Sequence, residues 1–138
     1  MIMRTSTSPS SRAGVLLMLL VACGACSKPA EPVRITAIEL GSTINPDNTV
    51  SSPNVTFPPN ATVYAAIATE GTGPATLAAR WTGADGQVFT EQTQSINPTK
   101  PTHFEFHFTP PGNWPKGMHK VVFTLNGGGS RTRDFEIR

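Results

Sequence analysis

Thr102-His103-Phe104-Glu105-Phe106-His107-Phe108-Thr109 decides the fold. Polar and aromatic residues alternate without a break, so an extended segment puts three phenylalanines on one face and His103, Glu105 and His107 on the other. Helical geometry would scatter the phenylalanines around its circumference, whereas a half-buried strand collects them. The same period recurs on both sides. Downstream, Met118 to Asn126 places Val121, Phe123 and Leu125 inward, Gly127-Gly128-Gly129-Ser130 turns, and Arg131 to Arg138 closes with Phe135 and Ile137. Upstream, Thr62 to Thr69 alternates Val63, Ala65 and Ile67 against Tyr64, Ala66 and Ala68. Ala75 to Thr82 sets Leu77, Ala79 and Trp81 opposite Arg80, and Gly83-Ala84-Asp85-Gly86 reads as a hairpin turn. Gln87 to Gln94 returns as a polar strand, the composition of a sheet edge.

Val33 to Gly41 is rich in β-branched residues, but its apolar phase slips between Ile35 and Ile38, as a bulge would cause. Ser42 to Asn60, with Pro46, Pro53, Pro58 and Pro59, reads as a long irregular crossing. No 3.6-residue pattern long enough for a helix occurs beyond the first residues. The expectation is an all-β chain, one seven-stranded sandwich over residues 33–138, its turns spaced as such sandwiches require. Trp81 on the third strand would be the central core aromatic.

The stretch Pro110-Pro111-Gly112-Asn113-Trp114-Pro115-Lys116-Gly117-Met118-His119 resembles the corner before the sixth strand of many bacterial immunoglobulin-like domains. Together with the strand spacing, it makes the chain similar to immunoglobulin-like and fibronectin type III-like sandwiches. His119 stands where that pattern usually has a tyrosine, so the hydrogen bond that pins the corner would have to come from an imidazole. The resemblance implies architecture and carries little about activity, because such domains share a fold without sharing a function.

The start of the chain has a different character. Met1 to Arg12 holds two basic side chains and no acidic one, and Ala13 to Ala22 is an apolar run too short to span a bilayer. It ends in Leu20-Val21-Ala22-Cys23, which resembles a lipobox, the cleavage and acylation signal of bacterial lipoproteins. That resemblance implies a signal peptide over residues 1–22 and a lipidated Cys23, followed by a tether over residues 23–32. Pro29 and Pro32 make the tether extended. Cys26 is the alternative lipidation site: it fits the pattern less well, but its use would leave no free thiol in an oxidising envelope. Secretion with cleavage at a small-residue site is the other reading of this segment. Buried acyl chains contribute about 0.8 kcal/mol per methylene, and two or more hold firmly. Neither Gly24 nor Ser27, the residues that would follow the lipidated cysteine, is the aspartate that retains such lipoproteins at the inner membrane of enteric-type bacteria. The expected address is therefore the envelope, at the outer membrane facing the periplasm.

Processing also changes the charge. Arg4 and Arg12 leave with the signal, and the remaining basic side chains equal the 9 carboxylates. A neutral mature domain carries no electrostatic footprint for nucleic acid, so that partner class is excluded.

Candidate chemistry is sparse. Alternate residues on a strand stand about 7 Å apart, so two of His103, Glu105 and His107 could hold a metal ion with a third ligand from elsewhere. All three would span about 13 Å, too far for one ion. The plainer reading is a solvated polar face. Trp114 either plugs the end of the sandwich or contacts a partner, the plug being favoured because an exposed tryptophan is costly. No Gly-x-Ser-x-Gly elbow or paired acids point to catalysis, so no catalytic residue and no cofactor is expected. The reading is a non-enzymatic, membrane-anchored module that binds an envelope protein or cell-wall partner by a sheet edge or its loops. Metal or small-ligand binding at the His103/Glu105/His107 face is the alternative.

Overall fold

The computed structural model describes residues 31–126 and 129–138. Its strands are β1 (Arg34–Gly41), β2 (Thr56–Phe57), β3 (Val63–Glu70), β4 (Ala75–Gly83), β5 (Val88–Ile96), β6 (Thr102–Phe108), β7 (Gly117–Leu125) and β8 (Gly129–Ile137). They form a three-stranded sheet in the order β1-β3-β6 and a five-stranded sheet in the order β2-β8-β7-β4-β5. Among the described residues there is no helix, and the two sheets make an immunoglobulin-like β-sandwich. The seven long strands lie where the alternating segments predict them. The signal peptide and both cysteines, Cys23 and Cys26, lie outside the described residues, as do Gly127 and Gly128 of the glycine turn.

The apolar faces meet as the alternation requires. Leu77, Ala79 and Trp81 of β4, Val121, Phe123 and Leu125 of β7, and Val63, Ala65 and Ile67 of β3 are all buried in one core. Of the three phenylalanines on β6, an edge of the three-stranded sheet, Phe106 is buried while Phe104 and Phe108 are partly buried against the core. Trp81 has no exposed surface and packs edge-on against Phe135 at 6.1 Å between ring centroids.

The phase slip in the first strand is a bulge: Ile35 pairs with Thr69 and Ala37 with Ala68, so Thr36 is the extra residue. A second register shift separates the pairs Trp81–Thr90 and Thr82–Val88, and Phe89 is left over on β5. The crossing between β1 and β3 holds more order than its prolines predict. Its Ile44–Val50 bridge closes a small hairpin, and Asn48, in the left-handed region at φ 65°, lies in the turn. Asn48 Nδ2 donates to the His103 carbonyl at 3.2 Å, so the hairpin reaches β6. Val50 is buried against Gly41, where an added Cβ would come within 2.3 Å of Val50 Cγ1. Further on, Thr56 and Phe57 pair in parallel with Glu136 and Ile137, giving β2, an eighth strand of two residues beside the seven expected.

Candidate functional site

The register fixes which backbone groups face the open sides of the sandwich. Glu136 donates its amide outward to the Val55 carbonyl, so on β8 the even residues face away from β7 and the odd ones pair with it. The Asn126 amide bonds the Thr76 carbonyl, so even residues of β4 face β7 and odd ones face β5. By the same alternation Glu91, Thr93 and Ser95 of β5 point into the open edge.

The two edges of the three-stranded sheet are closed by side chains and loop groups. On β6, the outward carbonyls of His103, Glu105 and His107 accept from Asn48 at 3.2 Å, Gln94 at 2.7 Å and Gln92 at 2.8 Å. On β1, the carbonyls of Thr36, Ile38 and Leu40 accept from Arg131 Nη1 at 3.4 Å, Arg133 Nε at 2.9 Å and the Asn54 amide at 2.7 Å. Four of these six donors come from the facing sheet, so each open side of the sandwich is stitched across. The five-stranded sheet is different. The outward groups of Glu91, Thr93 and Ser95 on β5, and of Ser130, Thr132 and Asp134 on β8, make no hydrogen bond among the described residues. Thus the segment Gln87 to Gln94, expected at an edge, lies there from Val88 on, as part of β5.

The His103, Glu105 and His107 side chains stand on the outer face of β6. Glu105 and His107 meet, with Nδ1 of the imidazole 2.5 Å from the carboxylate, and the His107 ring lies 5.3 Å from that of Tyr64 on the paired strand. His103 is at the far end, near the crossing hairpin, where it adds to the electrostatic stabilisation of the Asp47 carboxylate. Asp47 is held below the ordinary carboxylate range chiefly by the Thr49 hydroxyl and amide, which donate to it at 2.5 and 3.1 Å. Among the described residues no group of three histidine, cysteine, aspartate or glutamate side chains is placed to hold a metal ion.

Trp114 is the plug. Only 2% of it is exposed, its indole N–H donates to the Ala61 carbonyl at 2.8 Å, and its ring lies against Phe89, Phe108 and Phe135. The alternative role of Trp114 as a partner contact is corrected by this burial: the side chain is enclosed and presents no surface. The corner also settles the role of His119, which is 4% exposed. Its Nε2 lies 2.6 Å from the Pro115 carbonyl, which only accepts, so the imidazole donates there and supplies the pin that a tyrosine would. The ring stacks on Phe135 at 5.5 Å, and Nδ1 is buried with no partner among the described residues.

No family model matches this chain, and no curated protein does. Solved structures do resemble it. The CARDB domain of a Pyrococcus furiosus protein, in complex with di-metal ions, matches with a TM-score of 0.50 and 11% identity over 80% of this chain and 90% of that one. The alkylpurine DNA glycosylase AlkC of Pseudomonas fluorescens, bound to DNA containing an abasic site analog, gives 0.51 and 15% over 77% of this chain. The match spans only 30% of the AlkC chain. An immunoglobulin-like protein of Pseudomonas aeruginosa gives 0.49 and 20% over 80% and 99% of the two chains. At such identities the likeness is one of fold.

Proposed function

We propose that the protein is a lipid-anchored envelope lipoprotein whose sandwich is a non-catalytic module binding a protein or cell-wall partner. The anchor rests on the Leu20-Val21-Ala22-Cys23 sequence, and the outer membrane, with the domain in the periplasm, is its address. One observation carries the binding role: β5 is an edge strand whose outward backbone groups at Glu91, Thr93 and Ser95 lack partners among the described residues, while both edges of the facing sheet are capped. Such an edge accepts an extended segment by strand addition, main-chain bonds giving affinity and side chains selecting the partner. β5 has no proline or lysine to discourage pairing.

Crosslinking in the native envelope, followed by purification of the lipidated protein and mass spectrometry, tests the reading. The variant carrying Cys23→Ser and Cys26→Ser is the mislocalised control. A single near-stoichiometric partner that disappears in the control is the expected result. Equal membrane retention of that variant would overturn the anchor. An unchanged crosslink after Thr93→Pro, which removes an outward N–H from β5, would overturn the edge.

A further inference from the structure

We infer that the unpaired half of the β8 edge is a second docking site, which takes an extended, acidic segment of a partner protein. This goes beyond the β5 reading and does not depend on it. β2 covers β8 only at Glu136 and Ile137, leaving the outward backbone groups of Ser130, Thr132 and Asp134 as an open edge about 14 Å long. Between this edge and β1 runs a cleft of about 360 Å³ lined by Ile38, Arg131, Thr132 and Arg133. It continues past Ile38 and Arg133 towards Pro53 and Val55, where the chain crosses from β1 to β8.

The arginines define the chemistry of the occupant. Arg131 and Arg133 share a face of β8 with the buried Phe135 and Ile137, and each spends one N–H on a β1 carbonyl. Both side chains line the cleft, and apart from these bonds their N–H groups have no protein partner among the described residues. The ion pairs among the described residues are made by Arg34, Arg80, Arg138 and His107, and neither Arg131 nor Arg133 is in one. Two cations in no ion pair among the described residues, two positions apart beside an unpaired edge, match a strand with a carboxylate at every second position. Added to β8, such a strand bonds the backbone of Ser130, Thr132 and Asp134 and turns its acidic side chains onto Arg131 and Arg133. The β5 edge has no such specificity, since Arg80 beside it is already paired with Glu91.

The test is fluorescence anisotropy of the full chain with a labelled peptide of about ten residues alternating glutamate and valine. Its lysine–valine counterpart is the control. The expected result is binding of the acidic peptide alone, weakened about tenfold or more by Arg131→Gln with Arg133→Gln, and by Thr132→Pro. Thr132→Pro keeps both cations and removes an N–H that has no partner among the described residues, so it isolates strand addition from charge. Circular dichroism shows that each variant keeps its fold. Hydrogen exchange is expected to show the peptide protecting the Ser130, Thr132 and Asp134 amides. Unchanged affinity in either folded variant, or equal binding of the lysine peptide, overturns the inference. Protection at Glu91, Thr93 and Ser95 instead would assign the peptide to β5 and likewise overturn it. So would absence of peptide binding alongside arginine-dependent binding to phosphatidylglycerol vesicles.

Discussion

Trp81 and His107 belong to different sheets and are joined through one side chain. Gln92 accepts from the Trp81 indole N–H at 3.0 Å and donates to the His107 carbonyl at 2.8 Å, which fixes the orientation of its amide. Because Trp81 is fully buried, its N–H has no water to turn to if that acceptor is lost.

Gln92→Leu is therefore expected to cost about 1–3 kcal/mol, the penalty of a buried unpaired donor. Thermal unfolding followed by circular dichroism reads this as a melting point lower by roughly 4–8 °C per kcal/mol for a domain of this size. Gln94→Leu, which loses only the bond to the Glu105 carbonyl, is expected to cost less. Equal losses would mean that the Trp81 bond has no special weight.

His119 is expected to be the Nε2–H tautomer, because the Pro115 carbonyl demands a donor there. Long-range proton–nitrogen NMR distinguishes the two ring nitrogens directly. His119→Phe keeps the stack on Phe135 and removes the pin, so a loss of about 1 kcal/mol is expected. An Nδ1–H signal without an Nε2–H signal would contradict the corner geometry.

Asp47 gives the crossing hairpin a dependence on acid. Its carboxyl is held below the ordinary value of 3.8, so the bonds from Thr49 favour the folded hairpin above that value and are lost as pH falls through the lower folded one. The Thr49 amide shift, followed by NMR on acidification, is expected to move in that window. Asp47→Asn keeps an acceptor for Thr49 and is expected to abolish the step.

Gly71 has φ +92°, and an added Cβ would lie 2.2 Å from the Pro32 carbonyl oxygen. Gly71→Ala combines backbone strain with a clash that no side-chain rotation relieves, and a loss of about 1–3 kcal/mol is expected. Hydrogen exchange should locate the damage at the Thr72 amide, which donates to the Glu31 carbonyl at 2.9 Å.

Strands, the first bulge and the edge position of β5 were legible because each follows from a period of two and its interruptions. Two-residue β2 was not, since Thr56 and Phe57 are too few to show a period and sit among prolines. The stitching of the open sides was hidden for another reason. Gln92, Gln94, Arg131 and Arg133 are ordinary polar residues in strands, and their acceptors lie 11 to 95 positions away in sequence. One clue was present. Arg131 and Arg133 continue the inward phase of Phe135 and Ile137, where a charged side chain needs acceptors, and the outward carbonyls of β1 supply them.

The contact of Glu31 and Pro32 with Gly71 and Thr72 gives the domain a direction. The chain enters beside the β3–β4 turn, while Arg138 donates to the Phe57 carbonyl at the opposite end, near the Trp114 corner. Strands of nine residues separate the two ends by about 30 Å. In the proposed lipoprotein, an acyl group on Cys23 or Cys26 would be separated from Glu31 by at most about 28 or 17 Å of chain. Under the proposed anchor the chain would enter the domain at the end where β8 begins, with the Trp114 corner about one strand length farther along.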